Sequence, residues 1–308
     1  MNKNKKRFEH VSKDYKGIRE YPVKQDSELL EFLLATLKDQ SRNSVKSLLS
    51  NHRVSVDGAP ISQFNFKLFK GDTVIISKTP IHKKTRSNLP IIYENDEIIV
   101  INKPSGLLSI ASDKEKGSTA YRMLTDYVQQ KDKHNRIFVV HRLDEDTSGV
   151  LMVAKNPKIQ KLLQDNWNDL VSSRGYYAIV DGIVEQKEGT IKSYLKMNAQ
   201  NMMYSSKKAG DGKLSVTHYK LIDKTDNYSL LDVHIDSGRK NQIRVHMGDI
   251  GHHVIGDDKY GNPSNPIKRL GLHAYELVIK HPVTGKAMKF SAPIPKEFNI
   301  LFPNFKNK

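Results

Sequence analysis

The chain has 308 residues, no cysteine, and 50 Lys and Arg against 34 Asp and Glu, which gives a formal net charge of +16. Without cysteine there is no disulfide framework, no thiolate zinc site and no thiol nucleophile. No apolar run approaches the roughly 20 residues that span a bilayer, and the basic start has no apolar segment behind it, so we expect a cytoplasmic protein without membrane contact. The charge predicts a nucleic-acid partner and leaves a merely basic enzyme as the alternative.

The first 90 residues predict a basic arm, a small folded unit and a linker. Residues 1–24 are polar and rich in Lys, which predicts a flexible arm. Within 25–78, leucines at helical spacing predict one helix, Ser41 caps a second, and short strands flank an Asp-Gly turn. Residues 79–89 show no periodicity and contain a proline, which is typical of a linker.

Residues 90–305 predict a second, larger domain that strands dominate. Alternating apolar positions indicate strands along most of this length, and helical spacing is confined to three stretches. The predicted helices are 119–128, 158–169 and 242–248. Few helices among many strands predict an α+β fold with an antiparallel-rich mixed sheet, and not a doubly wound parallel sheet.

A polar segment in this domain, 141–149, has the sequence His-Arg-Leu-Asp-Glu-Asp-Thr-Ser-Gly and lies between two apolar runs, 138–140 and 150–154. The runs predict buried strands, so the polar side chains project from a rigid edge that can hold a nucleophile still. Asp144 is the candidate. The same segment also fits a plain turn, in which the Asp side chains form Asx turns and the final glycine supplies an unusual backbone angle.

The segment resembles the catalytic motif of the RluA-type pseudouridine synthases, His-Arg-Leu-Asp-x-x-Thr-Ser-Gly followed by Ala-Lys, and matches every fixed position. Lys103-Pro-Ser-Gly106 resembles the Lys-Pro-x-Gly motif of that family, and 174–182 resembles its Lys/Arg-x-Tyr-x-Ala-x-Val-x-Gly strand. Residues 237–261 resemble its Gly-Arg-x-His-Gln-Ile-Arg-x-His and Gly-Asp-x-x-Tyr-Gly motifs. Asn241 and His253 depart from the pattern, since His and Pro are usual there.

The resemblance implies an enzyme that isomerises uridine to pseudouridine in RNA and needs no cofactor. Asp144 is then the nucleophile, Tyr176 the tyrosine that stacks on the base and is a candidate for proton removal, and Arg244 the basic partner of Asp144. We expect the Arg244 charge to lower the pKa of Asp144, against the effect of burial. Attack on the sugar, attack on the base and loss of uracil through a glycal all fit the sequence. The other implied site residues are expected to contact RNA: Lys103, His141, Arg142, Thr147, Ser148, Arg239, Gln242 and His246.

The unit at 25–78 resembles the small RNA-binding domain of ribosomal small-subunit protein four, in its Ser-Arg-x-x-Val-x-x-Leu-Leu helix, Val-x-Val-Asp-Gly hairpin and Gly-Asp-x-Val strand. That domain usually opens with Arg-Leu-Asp, where this chain has Glu28-Leu29-Leu30. Arg42, Lys46 and Arg53 are the expected contacts to RNA backbone. Together the two resemblances favour structured RNA as the partner of a monomer, with large-subunit ribosomal RNA ahead of transfer RNA.

Two other classes of function fit parts of the sequence. A magnesium-dependent nuclease could use the carboxylates of Asp144, Asp146, Asp257 and Asp258, and chelator sensitivity would reveal it. A non-catalytic RNA-binding or ribosome-assembly protein would need only the charge and the small N-terminal unit. The order of the motifs argues against the nuclease. The presence of Asp144, Tyr176 and Arg244 within their motifs argues against a non-catalytic protein. No metal site is expected.

Overall fold

A computed structural model describes residues 14–15, 18–78, 81, 89–111, 118–261 and 264–306. The chain divides into two compact units, residues 1–86 and residues 87–308, and each has an apolar core of its own. No helix in these described ranges combines the length and the apolarity that crossing a membrane requires.

The N-terminal unit combines two helices with two small antiparallel sheets. One sheet has the strand order β1-β2-β7-β4-β5, and the other pairs β3 with β6. The elements are β1 (Asp14–Tyr15), β2 (Ile18–Pro22), β3 (Ser27–Glu28), α1 (Leu29–Thr36), α2 (Arg42–Ser50), β4 (Val54–Val56), β5 (Ala59–Pro60), β6 (Lys67–Leu68) and β7 (Thr73–Ser77).

Local signals in the sequence account for the second helix and for the hairpin of this unit. The Ser41 hydroxyl accepts the backbone N–H of Ser44 at 3.2 Å, so it caps α2 as predicted. Asp57 and Gly58 have φ angles of 48° and 80°, which suit the turn that joins β4 to β5. The predicted pair of helices and the Asp-Gly hairpin are therefore confirmed.

The flexible arm predicted for residues 1–24 is wrong at its C-terminal end. Strand β2 pairs antiparallel with β7, and Tyr21 and Val23 are buried in the core of the unit. The sequence of this strand has no apolar alternation, because most of its residues are exposed and some are charged. Pairing with the neighbouring strand stabilises it instead. The rest of the predicted arm at 1–13 and 16–17 lies outside the described residues, as do 79–80 and 82–88 of the predicted linker.

The larger unit is built on an eleven-stranded sheet. Its strands are β8 (Ile91–Glu94), β9 (Ile98–Lys103), β10 (Phe138–Val139), β11 (Ser148–Ala154), β12 (Val171–Asp181), β13 (Glu188–Met197), β14 (Met203–Ser206), β15 (Lys213–Lys224), β16 (Tyr228–Ile235), β17 (Leu272–Lys280) and β18 (Ala287–Ser291). Its helices are α3 (Ala120–Lys131), α4 (Pro157–Asp165), α5 (Trp167–Leu170), α6 (Gln242–Asp249) and a 3-10 turn at Lys296–Ile300.

The sheet of the larger unit is mixed and mostly antiparallel. Its order is β14-β13-β15-β16-β12-β17-β11-β9-β8, with β10 beside β11 and β18 beside β17. Among the described strands only β11 and β17 run parallel. Every residue of β11 is buried, because apolar clusters cover both faces of the sheet there. The predicted α+β fold with an antiparallel-rich sheet is confirmed.

The helix predicted at 158–169 is interrupted. α4 ends before Asn166, whose side-chain amide donates to the carbonyl oxygen of Leu162 at 2.9 Å. The backbone N–H of Asn166 donates to the same oxygen at 3.3 Å, but φ of −115° and ψ of 23° take this residue out of the helical conformation, so the helix stops there. A separate short helix, α5, then begins at Trp167.

Gly149 lies where β11 meets β17, with φ of 115°. A Cβ at this position would lie 2.0 Å from the carbonyl oxygen of Ala274. Gly149→Ala is therefore expected to lower the free energy of unfolding by about 3 kcal/mol or more, measured by denaturant titration. The matched control is Gly285→Ala, where φ is 70° but no atom lies within 4 Å. The control should lose only about 1–2 kcal/mol, and equal losses would contradict the importance of the close approach.

Candidate active site

The loop that joins β10 to β11 carries Asp144, and its backbone is held from two sides. The Ser109 hydroxyl donates to the carbonyl oxygen of Leu143 at 2.7 Å and accepts the Leu143 N–H at 3.1 Å. The Lys103 ammonium donates to the carbonyl oxygen of Glu145 at 2.8 Å. These bonds restrain the residues on both sides of Asp144, so its carboxylate projects from a rigid turn as the sequence predicted.

Asp144 is half-buried and lines a cavity of about 120 Å³. One carboxylate oxygen accepts the backbone N–H of Asn241 at 3.2 Å. Burial raises the pKa of Asp144, and the charges of Arg244 and Arg142 oppose that rise without reversing it. The expectation of a lowered pKa is thus wrong, because the loss of water around the carboxylate outweighs the neighbouring positive charges. Those charges still favour the ionised form.

Arg244, on α6, forms a buried bidentate ion pair with Asp257, at 2.7 Å from Nε to Oδ2 and 2.5 Å from Nη2 to Oδ1. Burial works against both charges, but their mutual hydrogen bonds prevail, so the pKa of Arg244 is raised and that of Asp257 is lowered. The direct pairing predicted between Arg244 and Asp144 is therefore wrong in detail. The guanidinium acts on Asp144 through its field, while Asp257 holds it in place.

Asn241 connects this ion pair to Asp144. Its backbone N–H donates to Asp144, its side-chain oxygen accepts from Arg244 at 3.2 Å, and its amide nitrogen donates to the hydroxyl of Tyr260 at 3.0 Å. The residue has φ of 53°, a left-handed conformation that Asn tolerates better than most residues. The sequence showed Asn241 only as a departure from the family pattern, and Asp257 only as part of a motif and as a carboxylate of the alternative nuclease site. Both belong to the site.

Tyr176, on β12, lines the same cavity and is half-buried between two apolar clusters. Burial raises the pKa of its phenol to about 12, although the nearby charge of Arg174 favours ionisation. The hydroxyl is therefore protonated at physiological pH. Tyr176 can stack on a base or form hydrogen bonds in this state, but a phenol so hard to ionise is a weak candidate for removing a proton.

The structure thus brings the three predicted catalytic residues, Asp144, Tyr176 and Arg244, to one cavity. Arg142 and Arg239 line its rim and are exposed, as RNA contacts should be. In the N-terminal unit, Arg42 and Lys46 are exposed, on α2. Arg53 is half-buried, and its guanidinium donates to the carbonyl oxygen of Lys78.

Five residues predicted to contact RNA are instead buried, although Thr147 and Gln242 also line the cavity. They are Lys103, Thr147, Ser148, Gln242 and His246. Lys103 is the clearest case, because its ammonium donates to the carbonyl oxygens of Pro104, Leu107 and Glu145. Burial lowers its pKa to about 7 against the pull of nearby carboxylates. Its motif therefore supports the loop of Asp144 from within.

Gln242 and His246 anchor α6 to the sheet. The Gln242 amide donates to the carbonyl oxygen of Val216 at 2.9 Å and to the Thr217 hydroxyl at 3.0 Å. The His246 ring lies between the hydroxyls of Thr217 and Ser193, at 2.8 Å and 2.9 Å. Burial lowers the pKa of His246 to about 4, so the ring is neutral. The fully buried His246 side chain is therefore bonded to the sheet and not exposed to an RNA strand.

Thr147 and Ser148 end the loop of Asp144 where β11 begins, and both are buried. The Ser148 hydroxyl lies 2.7 Å from His273 Nδ1 and accepts from the Arg269 guanidinium at 2.6 Å. His141 opens the loop, and its Nε2 accepts the backbone N–H of Met152 at 3.0 Å. Burial lowers the pKa of His141 to about 4, so its ring is a neutral acceptor and holds the loop against β11.

The arrangement gives no support to a magnesium nuclease built on the two pairs of aspartates. Both carboxylate oxygens of Asp257 accept from Arg244, and one of them also accepts the backbone N–H groups of Lys259 and Tyr260. Within the described parts of the chain, no group of three or more His, Asp or Glu side chains is placed to hold a metal ion. The bound guanidinium occupies the position that a cation would need.

Comparison with known proteins identifies the class to which this fold and site belong. The family model described as RNA pseudouridylate synthase matches residues 97–249. The uncharacterized RNA pseudouridine synthase YlyB of Bacillus subtilis (strain 168) is 32% identical over 295 residues, which cover 92% of this chain and 95% of that protein. The chain therefore belongs to the RNA pseudouridine synthases, in the RluA-type family. It is an isomerase that acts on RNA, as the motifs predicted.

Other similar proteins agree with this assignment. Ribosomal large subunit pseudouridine synthase D of Neisseria meningitidis serogroup B is 32% identical, over 86% of this chain and 75% of that protein. The structure of human RNA Pseudouridylate Synthase Domain Containing 1 matches with a TM-score of 0.54 and 26% identity, over 68% of this chain and 84% of that one. Human RNA Pseudouridylate Synthase Domain Containing 4, with a TM-score of 0.55 and 20% identity over 68% and 90%, shares the fold.

Proposed function

We propose that the chain converts a specific uridine in large-subunit ribosomal RNA to pseudouridine, with Asp144 as the nucleophile. The supporting observation is the single cavity that holds Asp144 and Tyr176 beside the Arg244–Asp257 ion pair and an exposed arginine rim. The ribosomal large-subunit activity in the name of the Neisseria meningitidis relative favours the ribosomal substrate. Transfer RNA is the alternative. A monomer acting in the cytoplasm, where ribosomal RNA is found, completes the proposal.

The size of the cavity suits a single base that has left the RNA stack. Its volume of about 120 Å³ equals that of about four water molecules, which is the scale of one planar ring. A stacked uridine must be flipped out before a side chain can reach its glycosidic bond. Tyr176 supplies a flat neutral face for that base, and the arginine rim holds the phosphates that flank it.

The proposed reaction breaks the C1′–N1 bond, turns the uracil and forms a C1′–C5 bond. The proton on C5 is lost and N1 gains one, so atoms and charge balance without a cofactor. Three routes fit this reaction: Asp144 attacks the sugar, Asp144 attacks the base, or uracil is lost through a glycal. Asp144 must be ionised in each of them. The charges of Arg244 and Arg142 support that ionised form against the effect of burial.

The N-terminal unit is proposed to grip RNA backbone in the manner of the small domain of ribosomal small-subunit protein four. Its second helix, α2, begins at a serine cap and exposes Arg42 and Lys46. These side chains can neutralise phosphates without reading sequence. The domain limits proposed from sequence, 25–78 for this unit and 90–305 for catalysis, assign binding and turnover to different parts of the chain.

The decisive test is to map pseudouridines. Full-length protein is incubated with transcripts of large-subunit ribosomal RNA and of transfer RNA, and RNA from a deletion strain is compared with RNA from its complemented parent. A single new pseudouridine in ribosomal RNA, absent from the deletion strain, is the expected result. A site found only in transfer RNA would change the substrate, and no site in either RNA would overturn the proposed function.

The N-terminal contribution has its own measurable consequence. Replacing Arg42 and Lys46 by Gln together is expected to weaken RNA binding and to flatten its salt dependence, because each lost phosphate contact lowers the log-log slope by roughly 0.7 to 0.9. Turnover at saturating RNA should remain at the parent rate. A salt titration of binding checks this, with Lys224→Gln plus Lys280→Gln as an exposed control of equal charge. An unchanged slope in the first variant would contradict contact by α2.

A further inference from the structure

A second groove, of about 390 Å³, adjoins the cavity of Asp144 and shares Arg142, Tyr176 and Arg239 with it. Trp167 lines the groove but not the cavity. We propose that this groove, the Trp167 groove, binds the nucleotide next to the target uridine in the same RNA strand. Its base contacts Trp167, and the phosphate that joins it to the target lies on the shared arginines. The inference rests on the proposed function and extends it to recognition of a neighbouring base.

The aromatic wall of the groove is formed by Trp167, which lies at the interruption between α4 and α5. Trp167 is the only tryptophan of the chain, and it stands directly after the break at Asn166. The centroid of its ring lies 5.1 Å from that of His141, with 34° between the planes. His141 is neutral and bonded to the loop of Asp144, so it holds the indole next to the site without adding charge. A half-buried indole beside cations is a typical platform for a nucleic-acid base.

The positive charge of the groove comes from Arg142, Arg174 and Arg239. Among the described residues none of these three guanidiniums forms an ion pair with a carboxylate. Burial lowers the pKa of Arg174; nearby Tyr176 and Asp236 oppose that shift, and the charge of Arg239 adds to it, so Arg239 lies close enough to act on Arg174. Positive charge that no ion pair neutralises among the described residues favours the binding of an anion, and a phosphodiester supplies one.

Arg174 is held in place by the backbone. Its guanidinium donates to the carbonyl oxygen of Asp236 at 2.6 Å, and a Cβ on Gly238 would lie 2.9 Å from its Nη1. The glycine therefore leaves the space that the guanidinium occupies. This geometry costs conformational freedom that a solvent-exposed arginine would keep, and it fixes the charge at the wall of the groove.

The positions of the charges indicate which end of the groove binds the phosphate and which end binds the base. Arg142 and Arg239 line both cavities, so they mark the junction where the connecting phosphate should lie. Trp167 and Asp236 line the Trp167 groove and not the cavity of Asp144. The Asp236 carboxylate accepts from His218 at 3.1 Å and would repel a phosphate at that end. The neutral base, and not the phosphate, is therefore placed against Trp167.

The single tryptophan makes the proposal directly measurable. The probe is a short transcript that carries the mapped uridine, added to full-length Asp144→Asn protein so that no turnover occurs. Quenching of tryptophan emission on binding is expected, because a base that stacks on the indole changes its surroundings. An abasic site placed immediately before or after the uridine, at one of the two positions, should remove most of the quenching. No quenching, or quenching unaffected by either abasic site, would overturn the proposal.

A variant separates base recognition from a purely structural role of the indole. Trp167→Leu keeps apolar packing against the core, and thermal unfolding verifies its fold. It should bind the intact transcript about tenfold less tightly, since stacking on an aromatic side chain accounts for about that factor. The transcript with the sensitive abasic site should bind parent and variant equally. Equal weakening on both transcripts would refute the stacking contact.

Two further measurements distinguish failure of the Trp167 groove from failure of the proposed function. Lys224→Gln, at the far end of β15, is the control of surface charge and should change neither binding nor quenching. Pseudouridine formation by the parent protein on the intact transcript is measured in parallel. Absence of product would refute the proposed function and the groove with it, whereas product without quenching would refute the Trp167 groove alone.

Discussion

Replacing Asp144 by Asn is expected to reduce pseudouridine formation by a factor on the order of 10³ or more, as removal of a nucleophile does in other enzymes. The fold and the RNA affinity should remain nearly unchanged. The amide has the shape of the carboxylate, and its oxygen can still accept the Asn241 N–H that Asp144 accepts at 3.2 Å. It has no negative charge with which to attack, so only the chemical step should be affected.

The measurement is single-turnover product formation at saturating RNA, with binding and thermal unfolding determined on the same samples. Asp146→Asn is the matched control, because it removes an exposed carboxylate from the same loop. The control should stay within a few-fold of the parent rate. Residual activity of Asp144→Asn within tenfold of the parent, or equal loss in the control, would remove Asp144 from the role of nucleophile.

Replacing Arg244 by Met is expected to have two effects that arise from different partners. The carboxylate of Asp257, whose side chain is 1% exposed, would be left buried without its counter-ion, which costs about 3–5 kcal/mol of unfolding free energy. Asp144 would also lose the largest charge that opposes the effect of burial on its pKa. Its pKa, already raised, would rise further. The ionised form reacts, so when the pH is lowered the variant should lose activity at a higher pH than the parent protein does.

A second substitution distinguishes the two effects. Arg244→Met with Asp257→Asn removes the stranded charge, so it should recover part of the lost stability as measured by denaturant unfolding. It should not restore the pH profile, because the positive charge near Asp144 is still missing. Single-turnover rates across pH test this. A profile unchanged in both variants would show that the Arg244 field does not govern Asp144.

The predictions that the structure confirmed rest on short-range patterns. The apolar run at 150–154 is the buried part of β11, and the polar segment before it is the loop that carries Asp144. The serine cap of α2, the Asp-Gly hairpin and helix α6 also follow from local residue order. Periods of two and 3.6 residues, capping groups and turn residues act over a few positions, so one sequence can show them.

The family and the Asp144 loop could thus be recognised from sequence alone, whereas the environment of each site residue could not. Burial of Lys103 and His246, the Arg244–Asp257 ion pair and the raised pKa of Asp144 all depend on chain segments brought together by folding. Asp144 and Asn241 are 97 positions apart, yet they share a hydrogen bond. Whether a polar side chain meets solvent, RNA or another side chain depends on what packs over it, and so does the balance between desolvation and neighbouring charge. Those are properties of the tertiary structure.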